Sequence, residues 1–402
     1  MSKEKNKSAK KTSEAPVTSI SKWFPIALIL LTFFIYSNTL KHEYAQDDDI
    51  YTRKNSFIQK GLKAFPEMVK QGSLMGFDST NVSDYRPLVL INFAIEKSIF
   101  GNNPKANHFF NVLIYALICC VLFLFLKQIF KAYPPYLAAI ITLLFLFPIH
   151  TEVVANIKSR DELLCFLFGL LSLKTVYEFS LNENKSKLFE SGLFFFLCLL
   201  CKENGFTFLG LIVLVLYFFS NFPIKKVALF SLFFLALAGI NLGIRWAVLD
   251  ALMLNKSLVL MDNSLMAASN FSDQLATTFT MLLKALSLLF LPVTLSYDYS
   301  YNTFPIVTWS SMEAILSLLL YVAMFVIAVI GFRKKSIYAF AILFYFISYS
   351  MTSNLFFKIG SSFAERFLFA PSLAFCIILP FLLAQMLQFN LKKTKLDQAS
   401  KI

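Results

Sequence analysis

Long apolar runs, separated by short polar loops, extend along most of the chain. A helix that crosses a bilayer needs about 20 mostly apolar residues, and roughly ten segments meet or approach that length. These segments are 23–40, 107–130, 136–147, 163–177, 188–200, 206–219, 227–246, 314–332, 337–349 and 367–386. The pattern predicts an all-α, polytopic membrane protein with about ten to eleven transmembrane helices.

Two segments fit this pattern less well. The stretch 88–100 is interrupted by Asn92, Glu96 and Lys97, so we expect an amphipathic helix that lies along the membrane surface. The stretch 277–291 is long enough to span. Because the span 314–332 ends in the basic run 333–335, which should be inside, 277–291 is re-entrant or surface-lying, or the helix count is off by one.

Charge sets the expected orientation. The net charge is +13, and much of the excess lies in two tails and in short loops, as the positive-inside rule requires. This favours a membrane protein over a nucleic-acid-binding one. We therefore expect a disordered basic cytoplasmic tail at 1–22, one membrane module at 23–390 with its first external loop at 41–106, and a second basic cytoplasmic tail at 391–402.

The amino-acid composition also indicates a membrane protein, but it points to no particular cofactor or catalytic group. Apolar residues make up 57% of the chain and charged residues 15%, whereas soluble domains average about 45–50% and about 25%. The six cysteines lie in or beside apolar segments and show neither a metal-binding spacing nor a disulfide framework. Lys outnumbers Arg, and Phe, Ile and Asn are common. This composition favours an AT-rich bacterial genome, and so a bacterial inner membrane with the external loops facing the periplasm.

The predicted outer surface carries many ionisable side chains. Charges at span ends on the face that the positive-inside rule disfavours commonly mark functional sites. Solvated loop charges explain some of them, and mutual pairing is an alternative for the runs 160–162 and 202–203. The set comprises His42, Asp47, Asp48, Asp49, Arg53, Arg86, His108, His150, Glu152, Arg160, Asp161, Glu162, Lys202, Glu203, Arg245 and Arg366.

The acidic triplet Asp47-Asp48-Asp49 follows the first apolar segment. Like charges in proximity raise one another's pKa, so one carboxylate can serve as a base near neutral pH. The triplet can equally bind a divalent cation through its oxygens, or be a solvated acidic loop. His150 and Glu152 are two residues apart in the second external loop, where they can bind a metal, orient a substrate or cap a helix.

Several different short motifs follow one another between about residue 38 and residue 372. They are YAQDDDIY at 44–51 with Asn55, YRPL at 85–88, NP at 103–104 with His108 and Asn111, PIHTE at 148–152, RDELL at 160–164, KENG at 202–205, DYS at 298–300, and AERF at 364–367 with PS at 371–372. In this order and spacing the chain resembles the membrane part of the transmembrane-and-tetratricopeptide O-mannosyltransferases and their bacterial relatives, within the GT-C glycosyltransferases.

The resemblance also has departures. Phe147 stands where the family commonly has His before Pro, and Tyr115 stands where a His commonly follows Asn. We expect no tetratricopeptide repeats and no final outward span in this chain. These departures bear on the choice of acceptor more than on the chemistry, because the acidic motif is intact.

The resemblance implies an inverting transfer of mannose or a similar sugar. The donor would be a polyprenyl-phosphate-linked sugar. The acceptor would be a hydroxyl group, that of Ser or Thr in exported proteins, on the outer face of the membrane. The implied base is Asp48, with Asp47 and Asp49 as competitors. The implied phosphate-binding residues are Arg86, Arg160, Lys202 and Arg366. The implied site-lining residues are Tyr85, His108, Asn111, His150, Glu152, Glu162, Glu203 and Asp298.

No cofactor is certain from the residues, although a divalent cation at Asp48, His150 and Glu152 remains open. Expected partners are the lipid-linked donor, an exported protein or glycan acceptor, and membrane lipids, but no nucleic acid. Three alternatives stay open: the same chemistry on a lipid or envelope polysaccharide, a lipid-linked sugar flippase, and a non-catalytic scaffold. Transporters usually place polar groups at the bilayer midplane, whereas these lie at one surface, which favours an enzyme.

Overall fold

The computed structural model describes residues 20, 22–79, 84–146, 148–249, 258–300, 302–389 and 391. The predicted tails at 1–22 and 391–402 lie outside the described residues, apart from residues 20, 22 and 391, as does the departure at Phe147. The all-α prediction is confirmed, since the described ranges contain helices and turns but no strand.

Fifteen α-helices are described, and several begin where the sequence demands it. Proline occupies the first position of three of them, where its missing N–H costs nothing. Asn103 caps one of these three with its side-chain oxygen, and Asn184 caps a further helix in the same way. The helices are α1 (Phe24–Ile35), α2 (Ser56–Gln59), α3 (Phe65–Lys70), α4 (Pro87–Phe100), α5 (Pro104–Ile129), α6 (Pro135–Leu144), α7 (Thr151–Ala155), α8 (Arg160–Asn182), α9 (Lys185–Leu199), α10 (Thr207–Phe219), α11 (Ile224–Leu249), α12 (Phe271–Phe290), α13 (Met312–Phe332), α14 (Ile337–Tyr349) and α15 (Ser372–Met386).

Fewer helices have the length and composition of a membrane span than the apolar pattern predicted. Within the described ranges, four helices are long and apolar enough to cross a bilayer: α5, Ile157–Asn182, α11 and α13. A fifth is added if α6 and Pro148–Ala155, which meet at 53°, form one bent span. The predicted count of ten to eleven is not confirmed, because helices such as α10 and α14 have only 13 residues each.

Two of these spans face outward from the protein. Only 22% of the apolar window of α11 and 17% of that of α13 are buried, against 67% for α5 and 72% for Ile157–Asn182. A helix whose apolar surface is left uncovered by protein needs an apolar solvent around it. The chain is therefore a multi-pass membrane protein, with α5 and α8 at its centre and α11 and α13 at its lipid-facing side.

The predicted external loops gather at one end of the α5–α8 core. The stretch 88–100 does form a helix, α4, which buries Val89, Leu90 and Phe93 against the rest of the protein. The first external segment also contributes the short 3₁₀-helix Gln46–Tyr51, which packs against the 3₁₀-helix Ile157–Ser159 at the start of α8. This contact brings the acidic triplet beside the second external loop.

Gly169 lets α8 approach α10 closely. A Cβ atom at this position would overlap the ring of Phe208, which is itself buried against Phe166. We expect Gly169→Ala to lower the free energy of unfolding by about 1–3 kcal/mol, because the packed ring has no room to move. Thermal unfolding in detergent measures this. Gly239→Ala in α11 is the control, since a Cβ there meets nothing within 4 Å; an equal loss in both variants would contradict the packing argument.

Candidate active site

The three aspartates of the acidic triplet have three different environments. Asp47 is exposed, and Asp49 is bound by Arg53 at 2.7 Å and by Lys54 at 3.6 Å. Asp48 is only 2% exposed and has no ion pair among the described residues. Its Oδ2 accepts a hydrogen bond from the backbone N–H of Ala45 at 3.0 Å, and its Oδ1 accepts one from the backbone N–H of Lys158 at 2.9 Å.

These environments separate the proton affinities of the carboxyls. Burial raises the pKa of Asp48, against the opposing effect of its two backbone N–H donors, and the negative charges of Asp47 and Asp49 raise it further. The hydrogen bond and charge of Arg53 lower the pKa of Asp49. A carboxylate that is fixed by backbone donors, lacks a cationic partner and has a raised pKa is suited to accept a proton.

Asp48 lies in the wall of a cavity of about 640 Å³. The wall comes from the first external segment, from His108 of α5, from α7 and the residue after it, from a loop that follows α12, and from Glu365 of the late AERF motif. The lining residues are His42, Glu43, Tyr44, Ala45, Gln46, Asp48, His108, Thr151, Glu152, Ala155, Asn156, Leu295, Ser296, Tyr297 and Glu365. Three of the sequence-predicted site residues, Asp48, His108 and Glu152, therefore share one cavity. His108 is buried there, and neither of its ring nitrogens has a hydrogen-bond partner within the described part of the chain.

A buried network of charges lies beside this cavity. Arg86 pairs with Asp161 at 2.7 Å and with Glu203 at 2.9 Å. Lys202 pairs with Asp161 at 3.1 Å and with Glu162 at 2.8 Å. The sequence left open that the charges of the runs 160–162 and 202–203 pair with one another. They do form ion pairs, although the paired residues are far apart in sequence. Arg245 also pairs with Glu203, at 2.8 Å. We call these ion-paired residues the buried charge network; they are Arg86, Asp161, Glu162, Lys202, Glu203 and Arg245.

Arg160 does not fit its predicted role as a phosphate ligand. The side chain is fully buried, and its guanidinium donates to Asn111 Oδ1 at 2.7 Å, to the backbone oxygen of Asn107 at 2.7 Å, to Asn92 Oδ1 at 2.8 Å and to the Glu96 carboxylate. Four of its five N–H donors are engaged within the protein and the side chain is fully buried, so it is poorly placed to bind a ligand. Its hydrogen bonds connect α8 to α4 and α5, and Asn111 is one of the residues through which they do so.

The possible metal ligands do not form one centre. His150 is fully buried, and its two ring nitrogens lie 2.8 Å from Tyr115 Oη and 2.8 Å from Ser372 Oγ. Both nitrogens are therefore occupied, so His150 is not free to bind a metal or to reach a substrate. Among the described residues, no group of three or more His, Cys, Asp or Glu side chains has the arrangement of a metal site.

Glu152 and Arg366 join the second external loop to the late AERF motif. Glu152 Oε1 accepts from Arg366 Nη1 at 2.5 Å, and Glu152 Oε2 accepts from the Arg366 backbone N–H at 2.8 Å. Next to this pair, Glu365 accepts from Tyr299 Oη at 2.7 Å and from the Ser296 N–H at 2.6 Å. Burial raises the pKa of Glu365. These bonds connect three of the residues that line the cavity, Glu152, Ser296 and Glu365, to the late motif and to Tyr299.

Comparison with known proteins places these motifs in context. The human protein O-mannosyl-transferase TMTC4 is 28% identical over 75% of this chain, and the human protein O-mannosyl-transferase TMTC2 is 26% identical over 75% of it. The resemblance to the TMTC transferases is confirmed. A mouse TMTC1 relative is 26% identical over 85% of the chain. The chain spans about half the length of the curated relatives it matches, 47% for TMTC4. No family model and no solved structure matches the chain.

Several TMTC-like motif residues lie away from the cavity. Tyr85 is buried, donates to the backbone oxygen of Val69 at 2.9 Å, and is absent from the cavity wall. Asp298 is exposed and accepts from Ser300 Oγ at 2.5 Å. Glu162 and Glu203 belong to the buried charge network instead of the cavity.

Among the site residues that the sequence did not predict are Glu365 and Lys158. Glu365 lines the cavity, and Lys158 fixes Asp48 through its main chain. The motif AERF contained Glu365, but nothing in the pattern separated it from its neighbour Arg366. A backbone donor leaves no signature in side-chain identity, so no sequence signal marked Lys158.

Proposed function

We propose that this chain is an inverting GT-C membrane glycosyltransferase that passes mannose or a similar sugar from a polyprenyl-phosphate-linked donor to an acceptor hydroxyl. The acceptor class that the TMTC resemblance favours is Ser or Thr of exported proteins. The site would face the periplasm of a bacterial inner membrane. The proposal rests mainly on Asp48, a buried carboxylate that forms no ion pair with any described residue and is held by two backbone N–H groups in the wall of the 640 Å³ cavity.

The arrangement suits a single displacement at the anomeric carbon. The acceptor oxygen attacks this carbon while its proton passes to Asp48, and the bond from the carbon to the phosphate oxygen breaks. The electron pair of that bond stays on the departing polyprenyl phosphate, whose negative charge needs a cationic or hydrogen-bonding partner. Because the incoming and leaving oxygens lie on opposite sides of the carbon, the anomeric configuration inverts.

A transfer assay in detergent tests the proposal. Purified protein, polyprenyl-phosphate [³H]mannose and Ser/Thr-rich peptides should yield labelled peptide together with free polyprenyl phosphate. A flippase would give no labelled peptide, because it moves a lipid from one leaflet to the other without transferring the sugar, and a detergent micelle has no two leaflets. Label that enters only a lipid or glycan fraction from added envelope extract would assign the same chemistry to another acceptor. Donor that stays intact with every acceptor would refute transferase activity.

The raised pKa of Asp48 sets the expected pH dependence. A base must be deprotonated, so kcat/KM falls as pH drops through the pKa of Asp48, and the acidic limb should lie above the range of an ordinary Asp. Asp47→Asn should move this limb to lower pH, because the negative charge of Asp47 raises the pKa of Asp48. Profiles of kcat/KM for both proteins measure the shift. A limb that stays in place, or moves upward, would contradict the assignment.

A further inference from the structure

The cations predicted to bind the donor phosphate already have carboxylate partners. Arg86 and Lys202 share Asp161, and each holds a further acid, at 2.9 Å and 2.8 Å respectively. Arg366 is bound to Glu152 at 2.5 Å through its side chain. To bind a phosphate, any of these would have to share or release a buried carboxylate, and leaving a buried charge without its partner is costly.

Lys158 differs from these three. Its side chain is half-buried, and within the described ranges it makes neither an ion pair nor a hydrogen bond. The charges that act most strongly on its ammonium are one attractive group, Asp161, and three repulsive ones, Arg366, Lys202 and Arg86. Asp161 is already shared by two of those cations. The ammonium of Lys158 therefore lies in a cluster of positive charge without an acid of its own.

The position of Lys158 in the chain connects this cation to the proposed base. The residue lies in the 3₁₀-helix Ile157–Ser159, directly before α8. Its backbone N–H donates to Asp48 Oδ1 at 2.9 Å. Its ammonium lies near enough to Asp161, Arg366, Lys202 and Arg86 for their charges to act on it. One residue thus fixes the base with its main chain, while its side chain carries a cation that has no ion-pair partner among the described residues.

We infer that Lys158 binds the phosphate of the lipid-linked donor and stabilises the phosphate that leaves. This inference rests on the proposed function. An anion brought in by a ligand relieves the repulsion among Lys158, Arg366 and Lys202, and it receives a charge-assisted hydrogen bond. As the bond to the anomeric carbon breaks, the electron pair moves to the phosphate oxygen, where the ammonium stabilises the added charge. The proton of the acceptor goes to Asp48, so Lys158 transfers no proton.

Substitution of the Lys158 side chain tests this without removing the support of Asp48, because every residue except proline keeps the backbone N–H. The probes are undecaprenyl phosphate and undecaprenol, which differ only in the phosphate, each measured for binding to the full chain in detergent. Lys158→Met should weaken undecaprenyl phosphate binding by about tenfold or more, and undecaprenol binding should not change. Lys158→Arg should restore most of the affinity. Lys60→Met, at an exposed position of the first external segment, is the matched control.

The outcomes separate this inference from the proposed function. If the unsubstituted chain prefers undecaprenyl phosphate to undecaprenol and Lys158→Met keeps that preference, Lys158 is not the phosphate ligand, and the transferase proposal stands. If the unsubstituted chain shows no preference for the phosphate, both proposals fail. Should Lys158→Met unfold, Lys158→Gln takes its place, and its melting temperature is checked before binding is measured. A loss of affinity that affects both lipids equally would also overturn the inference.

Discussion

Asp48→Asn will lower the rate of sugar transfer by roughly 100- to 10,000-fold, the range that a positioned general base contributes. The carboxylate is the only member of the triplet that is buried, and in the cavity wall it forms no ion pair within the described part of the chain. Asn has nearly the same shape but does not accept a proton at neutral pH. The decrease should appear in kcat, because the lost interaction forms in the transition state.

Asp47→Asn and Asp49→Asn are matched controls in the same 3₁₀-helix. Asp47 is exposed, so its substitution should leave kcat within a few-fold of the original value. Asp49 forms ion pairs with Arg53 and Lys54, so its carboxylate has a structural role and is not required as a base. If Asp47→Asn lost activity to the same extent as Asp48→Asn, the assignment of the base would be wrong.

Asn at position 48 also changes a hydrogen bond, and this must be separated from catalysis. The carboxylate accepts from the N–H groups of Ala45 and Lys158 with different oxygens, whereas the Asn side chain has one oxygen and one NH₂ group. One backbone N–H therefore loses its acceptor. Melting temperature and undecaprenyl phosphate binding report this structural effect. A catalytic role requires that donor binding persist in Asp48→Asn while turnover is lost.

The long elements of the fold were predictable because their signal is local. The predicted segments 107–130 and 314–332 correspond closely to α5 and α13, whose apolar runs are continuous and whose starts are marked by Asn103-Pro104 and by a polar loop. The number of spans was not predictable to the same degree. Apolar runs of 13 to 15 residues form helices such as α10 and α15, but composition does not reveal whether such a short helix crosses the bilayer.

The candidate site was predictable as a set of residues, but the role of each residue was not. Arg160 and Lys202 look alike in sequence, since both are cations at the end of an apolar run. Arg160 is buried and donates four hydrogen bonds, one of them to Asn92, 68 residues away, whereas Lys202 is held by two acids. Hydrogen-bond capacity depends on such distant contacts, which short motifs do not encode. Lys158 went unnoticed for the same reason, because its bond to Asp48 uses the main chain.

The buried charge network carries the second large effect. Arg86→Met will lower the free energy of unfolding by about 3–5 kcal/mol, because it leaves two buried carboxylates, Asp161 and Glu203, with fewer partners in a setting where water cannot replace them. Lys202 and Arg245 each retain one of these acids, which limits the loss. Thermal or denaturant unfolding in detergent measures the change. Arg53→Met is the control, since its pair with Asp49 is at the surface and contributes little.

Combining Arg86→Met with Glu203→Gln distinguishes a structural network from a phosphate site. If Arg86 mainly neutralises Glu203, removing both charges restores part of the stability that Arg86→Met loses, because the uncompensated carboxylate is gone. Stability and donor binding then separate, with undecaprenyl phosphate affinity changing little in the stabilised double variant. If affinity stays lost although stability returns, Arg86 itself contacts the donor, and the phosphate site extends from Lys158 into the network.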